Sequence, residues 1–319
     1  MQSGSDGKNT KTLVASLIAI LVAVAAVWFL QPSRPLIWTM ANVNTDVLSG
    51  DAHLLRLPNG QNWLIDAGYR DFAYGRLLPG MKHHEIKHLH GVIITHAHRN
   101  HYGGLVALME SGITMDKVYF NEPDKALCDR ERAGGRCIYE HVMSVFQQLR
   151  EANIPVLPIT PDTLYFDFPK LDLKLDTLYW FDSLETPFGG SNINDTSPLI
   201  KLSYGKTSAL FPGDLGVKPG MWLAENAKDI AADILAVPHH GVRATTPNAF
   251  FDRVDAKLAM VSGPSAIFNG ERGKQVRDYF AAQNTPIRVA GIEGAITISI
   301  SPKGFQHAKV FVSPEYSAN

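Results

Sequence analysis

The stretch 92–104, Val-Ile-Ile-Thr-His-Ala-His-Arg-Asn-His-Tyr-Gly-Gly, constrains the fold more than any other part of the chain. Val92, Ile93 and Ile94 are apolar and β-branched, and they read as a buried strand running into Thr95. His96 and His98 follow two apart, so in extended backbone both imidazoles leave the strand end on the same side. His101 comes three residues later, where Asn100 can cap a helix starting at the next residue. Gly103 and Gly104 let the backbone pass close behind whatever the histidines hold. Three imidazoles converging at one strand end point to a metal site. Among the 12 histidines, the upstream group His83, His84, His88 and His90 lacks ligand spacing and reads as a polar surface helix and its turn.

The formal net charge of -1 supplies no overall field that would recruit nucleic acid. Residues 12–30 are uncharged and almost wholly apolar, long enough at about 1.5 Å per residue to cross a bilayer. Lys8 and Lys11 precede this run, Trp28 sits near its far end and Arg34 lies beyond. That charge pattern puts the N-terminus in the cytoplasm. The expected organisation is a cytoplasmic tail (1–11), a transmembrane anchor (12–31), a linker (32–37) and one domain (38–315) facing the periplasm or exterior. The rival is a cleaved signal peptide, whose apolar core is usually shorter and ends at a small-x-small site absent here.

The only two cysteines, Cys128 and Cys137, flank the charged loop Asp-Arg-Glu-Arg-Ala-Gly-Gly-Arg. An oxidising compartment would let them close it, at a gain of roughly 2–3 kcal/mol in the chain-entropy picture. The alternative is a pair of unrelated thiols.

Along the rest of the chain, Pro58-Asn59-Gly60 between two apolar runs signals a hairpin, and Asp66 ends its returning strand. That carboxylate either holds a ligand histidine by its second nitrogen or caps the next turn. Residues 71–90 read as helix broken at Pro79-Gly80. Residues 138–151 read as an amphipathic helix with Ile138, Val142, Val145, Phe146 and Leu149 on one face and His141 off it. Strands over 198–203 and 207–211 lead to Gly213-Asp214, and 230–237 leads to Pro238-His239-His240-Gly241. Helices near 247–253 and 273–283 and a last strand pair, 295–300 with 309–312, complete an α+β pattern in which helices cover sheets.

Metal-competent groups therefore stand at several strand ends: His96 and His98, His101 on the succeeding helix, Asp214, and His239 or His240. Adjacent residues at a strand end point oppositely, so the sequence leaves open which of those last two is the ligand. Taken together, the chain resembles the metallo-β-lactamase fold superfamily, whose signature is H-x-H-x-D-H, and within it the hydrolase domain of ComEC-type competence proteins. The branch motifs D-V-G-Q-G-D, P-x-G, L-I-D-x-G, N-x-x-S, G-D and H-H-G have counterparts, in order, at 46–51, 58–60, 64–68, 194–197, 213–214 and 239–241. The resemblance implies a four-layer αβ/βα sandwich, here following an N-terminal single transmembrane helix. It also implies one or two zinc ions, with manganese an alternative. His96 and His98 would hold the first, His101 and His239 or His240 the second, with Asp214 bridging. Asp66, Gly103 and Asn194 would stand behind these ligands. A metal-bound hydroxide would attack a phosphodiester or ester.

The chain departs from that pattern at Asn100, where the family has an Asp that binds metal and orients water. It departs again at Leu48-Ser49 and at Gly270-Glu271-Arg272. A neutral amide is a poorer donor to a dication and cannot act as a base. Two expectations follow: an extracytoplasmic, membrane-anchored metal-dependent hydrolase with an altered second-metal site, or a module of the same fold that binds metal or a partner with little hydrolysis.

Overall fold

The apolar run after His90 forms the strand Gly91–Ile94, all four residues buried, within the parallel part of a mixed sheet. A parallel strand covered on both faces needs such a continuous run. The computed structural model describes residues 34–180, 186–189, 191–242 and 246–307. All of them but Arg34 fall in one compact unit, Pro35–Asn319.

Two large sheets are present among the described residues. The first has the spatial order Gly304–His307, Ile296–Ser301, Leu36–Met40, His53–Arg56, Asn62–Ile65, Gly91–Ile94, Val118–Phe120, Val156–Leu157. Its members are antiparallel up to Asn62–Ile65 and parallel from there on. The second runs Ile287–Val289, Leu258–Pro264, Ile234–Ala236, Thr207–Phe211, Leu199–Tyr204, Leu173–Tyr179, Phe166–Phe168, with its first four members parallel.

Strand periodicity divides the interior into three buried layers. Leu55, Ile65 and Ile93 meet Leu202, Phe211 and Ile234 in a core between the sheets. Their neighbours Leu54, Leu64 and Val92 turn to the opposite face, against Leu105, Leu108, Val142 and Phe146 from helices. On the outer face of the second sheet, Leu210, Leu235 and Val261 pack against Leu223, Phe250, Phe251 and Phe280. The layers are thus helix, sheet, sheet, helix.

Several local expectations are revised. The helix after the histidines begins at Arg99 with His98 at its N-cap, not at His101 with Asn100 capping, because His98 is the last extended residue (φ -89, ψ 141). Pro79 does not break the helix: the backbone stays helical from Arg70 to His83, passing through a π-helical turn over Ala73–Leu77 just before the proline. The helix Val217–Asn226 carries Pro219 and Gly220, which hide it from a reading of propensity. The final strand is Gly304–His307, and 309–312 lies outside the described residues. Cys128 and Cys137 are joined, with Cα atoms 4.8 Å apart.

The single-pass membrane placement is corrected. No helix among the described residues is long and apolar enough to cross a membrane. The stretch 12–31 on which that expectation rested lies outside the described residues.

Two backbone hydrogen bonds fix the helix that carries His101 against the turn after Asn62–Ile65. Ala67 N–H donates to the His101 carbonyl at 2.7 Å and Gly104 N–H to the Gly68 carbonyl at 2.9 Å. A Cβ on Gly104 would land on the Ala67 carbonyl oxygen. Gly104→Ala is therefore expected to lower unfolding free energy by about 2 kcal/mol or more, measured by denaturant titration, through backbone displacement. An unchanged midpoint would show that the helix can withdraw freely.

Candidate metal centre

The parallel strands of both sheets end at one edge, and their C-terminal ends carry the polar residues. Asn62–Ile65 delivers Asp66, and Gly91–Ile94 delivers Thr95, His96 and His98. Thr207–Phe211 delivers Asp214, and Ile234–Ala236 delivers His239 and His240. Crevices outside the carboxyl ends of parallel strands are where open α/β sheets place ligands.

Asp214 is the meeting point. Its Oδ2 lies 3.4 Å from His101 Nε2, 3.5 Å from His240 Nε2, 3.8 Å from His96 Nε2 and 3.9 Å from His239 Nε2. Donor atoms held about 2.0–2.1 Å from one cation at a tetrahedral angle stand roughly 3.3–3.4 Å apart, a spacing that the His101 and His240 nitrogens match and the His96 and His239 nitrogens exceed by about half an ångström. His96 Nε2, His101 Nε2 and Asp214 Oδ1 are buried and make no hydrogen bond among the described residues. Buried polar atoms are ordinarily satisfied, and a cation held among these three would satisfy them. Two donor groups meet within 4.8 Å: His96, His98 and Asp214, and Asp51, His101, Asp214 and His240. The donor set fits a metal cofactor.

Each imidazole is also held from behind. His101 Nδ1 sits 2.8 Å from Asp66 Oδ2, and Asp66 in turn accepts from Thr95 N–H and Thr95 Oγ1–H at 2.8 Å each. His96 Nδ1 lies 3.1 Å from Thr95 Oγ1 and 3.2 Å from Ser197 Oγ. His240 Nδ1 lies 3.0 Å from Ser262 Oγ and 3.4 Å from Asp51 Oδ2. His98 Nε2 is 2.7 Å from Glu131 Oε2, which leaves Nδ1 to face the cluster. Partners of this kind fix the tautomer and orientation of a ligating ring.

Charge is balanced inside the group. Burial pushes the Asp214 carboxyl up, but the His240, His101 and His239 imidazoles outweigh burial and hold it well below the usual carboxylate range. Burial likewise opposes charge on His101, and Asp214 and Asp66 overcome it, raising that imidazole well above its ordinary value. Asp214 and Asp51 raise His240 against burial to about 9. His96 goes the other way, depressed by burial and then by the neighbouring His101.

Of the residues singled out from sequence, His96, His98, His101, Asp214 and His240 are buried together. His239 and His240 both turn toward Asp214, contrary to the alternation expected of a strand end. Both have left-handed backbone (φ 51 and 59), so two successive residues swing their rings the same way. His240 is 2% exposed at its side chain and His239 18%. Asn194 Nδ2 lies 3.4 Å from His239 Nε2. Gly103 packs between Arg99 and the Gly68 turn and supplies no polar side chain. Asn100 turns into the site, its Nδ2 donating to the Ser49 carbonyl at 3.0 Å and lying 3.0 Å from His240 Nε2. Asp51, Glu131, Ser197 and Ser262 join the site in addition to those residues. Asp51 and Ser197 close the first and fourth branch motifs and were findable, whereas Glu131 and Ser262 carry no local signal.

No protein-family model matches the chain. ComE operon protein 3 of Bacillus subtilis (strain 168) is 24% identical over 239 residues, covering 68% of this chain and 27% of that protein. The chain thus spans about a quarter of that relative's length. A mutant of CmlA β-hydroxylase shares the fold at a TM-score of 0.50 and 10% identity, over 85% of this chain and 55% of that one. A diphosphatase of the PhnP family superposes at 0.41 with 13% identity, over 71% of this chain and 85% of that one. In sequence the chain is thus similar to ComE operon protein 3, and its paired sheets share the fold of CmlA, in keeping with the ordered motifs that resemble the metallo-β-lactamase fold superfamily and its ComEC-type branch.

Proposed function

We propose that the chain is a metal-dependent hydrolase of phosphodiester or ester bonds. The observation that carries this reading is the Asp214 oxygen ringed by imidazole nitrogens at 3.4–3.9 Å, with unsatisfied donor atoms aimed inward. A bound dication supplies Lewis acidity toward a phosphoryl or carbonyl oxygen and toward water. Nitrogen and carboxylate donors without thiolate suit zinc, and manganese as an alternative. His96, His98 and Asp214 would hold one ion, and His101, His240 and Asp214 a second. Asp66, Ser197 and the Asp51–Ser262 pair keep three of those rings aimed, and burial of the group keeps bulk water from competing with substrate.

A second reading, a module that binds metal or a partner with little turnover, is favoured by one contact. Asn100 Nδ2 lies against the very nitrogen of His240 that faces Asp214, and it offers no charge to a second cation.

Metal analysis of the purified protein separates the readings. The hydrolase should hold about two ions per chain and turn over a bis-aryl phosphodiester, with turnover falling at least roughly a hundredfold in His98→Ala. One ion or none, and no turnover with added zinc or manganese, supports the module. Asn100→Asp should raise metal stoichiometry or activity; an unchanged protein on both counts would mean the site has taken another use.

Proton competition gives a further expectation. In the metal-free protein His101 and His240 carry protons that a cation must displace, so binding releases protons. Affinity should climb with pH, by up to roughly tenfold per unit for each proton displaced, and the share due to His240 should flatten above about 9, where that ring is already neutral. Stability of the metal-free fold runs the opposite way. A raised imidazole stabilises it fully below the unfolded value of about 6.5, and that contribution is lost as pH rises through about 9. Calorimetry of zinc binding in two buffers of different ionisation enthalpy reads the protons directly; equal heats would contradict this.

A further inference from the structure

Glu131 stands apart from the other groups behind the imidazoles. Asp66, Ser197 and Ser262 come from strands or their ends, whereas Glu131 is the last residue of the helix Lys125–Glu131, inside the segment closed by the Cys128–Cys137 link. Its two oxygens are both used. Oε2 meets His98 Nε2 at 2.7 Å, and Oε1 accepts from Ile193 N–H at 3.1 Å. The pair is largely buried, with side-chain exposures of 5% for His98 and 19% for Glu131. The far side of the same closed segment reaches the same place, since the Arg136 carbonyl accepts from Arg99 N–H at 3.3 Å, one residue beyond His98. Segment 128–137 therefore grips the turn that carries His98 at two points, one through a carboxylate and one through backbone.

We infer that Glu131 is a positioning residue for His98: it holds Nε2 protonated and Nδ1 turned to the metal, and the Cys128–Cys137 crosslink keeps the carboxylate in reach. This rests on the proposed metal site and adds to it a residue and a covalent dependence. A carboxylate behind a ligating imidazole fixes its tautomer and raises its basicity, and loss of such a partner costs about 10- to 100-fold in metal affinity. A Gln keeps the size and one acceptor oxygen but no charge, so it should fall between the wild type and Ala.

Two measurements on the full chain test this. Zinc affinity by competition against a chelator, together with the visible bands of the cobalt-substituted protein, should show E131A weakened about 10- to 100-fold with altered bands, and E131Q between E131A and the wild type. The oxidised wild type should bind more tightly than the same protein after reduction of its disulfide, and C128S/C137S should match the reduced form. Unchanged affinity and bands in E131A overturn the role of Glu131; equal affinity of oxidised and reduced protein overturns the role of the crosslink. The second measurement needs no metal. Imidazole nitrogen NMR of the metal-free protein should show His98 as a single Nε2–H tautomer in the wild type and a mixture in E131A and E131Q. A wild type that binds no zinc or cobalt but retains the single His98 tautomer sinks the metal site and leaves the positioning intact. Mixed His98 tautomers in the wild type sink the positioning whatever the metal content.

Discussion

A buried carboxylate surrounded by imidazoles is the constraint on which the rest of this structure depends. Asp214 is 2% exposed at its side chain, and an ion of that size costs several kcal/mol to remove from water unless opposite charge or donors surround it. The surrounding groups come from both sheets. His96, His98, His101 and Asp66 belong to the edge of the first, and Asp214, His239, His240 and Ser262 to the second. The two strand arrays must end at the same height for these groups to meet. The apolar contacts between the sheets, Trp38 on Phe211 at 4.7 Å among them, hold that alignment from below. The site and the core are thus mutually dependent. Sliding one sheet by a residue would both expose apolar side chains and leave charges uncompensated.

The orientation of each ring is the second level of control, and it is distributed over the chain. Asp66 comes from a hairpin strand, Ser197 from the segment before Leu199–Tyr204, Ser262 from Leu258–Pro264 and Glu131 from a helix. Behind His240 the network goes deeper, through Asp51 to His53 Nε2 at 3.5 Å, while Trp38 Nε1–H donates to His53 Nδ1 at 3.3 Å. A polar chain of this length in a buried place rigidifies what it touches when its members are satisfied.

This distribution explains what could be read from sequence. Gly91–Ile94, the hairpin around Asn59-Gly60 and the apolar face of Tyr139–Glu151 follow from local periodicity, and the structure has them close to where they are expected. Asp66 was legible as one of two alternatives, and its hydrogen bond to His101 decides between them. Glu131 was not legible, because its partner lies 33 residues away and the intervening segment has no period or motif linking them. The shared aim of His239 and His240 was hidden for another reason. Left-handed backbone at two successive non-glycine residues is costly and depends on tertiary contacts such as His239 N–H to the Gly213 carbonyl at 3.1 Å. Val217–Asn226 was missed because proline and glycine at 219 and 220 lower its intrinsic helicity while burial of Leu223 compensates.

Two departures from the family pattern turn out to touch each other. Asn100, where the family has Asp, donates its amide to the carbonyl of Ser49, which stands where the branch motif has Gln. A carboxylate at 100 would set two acceptors against one another at this point, whereas the neutral amide donates to a backbone carbonyl that any residue at 49 would present. The same loop carries Asp51, whose N–H donates to the Asn100 carbonyl at 3.3 Å, and Asn44 accepts from Gly50 N–H at 3.0 Å beside it. Asn100 therefore exchanges a direct charge on the metal side for a donor that anchors the segment behind His240. Were a cation held by His101, His240 and Asp214, the charge that Asn100 withholds from it would be offset in part by fixed geometry at one of its imidazoles.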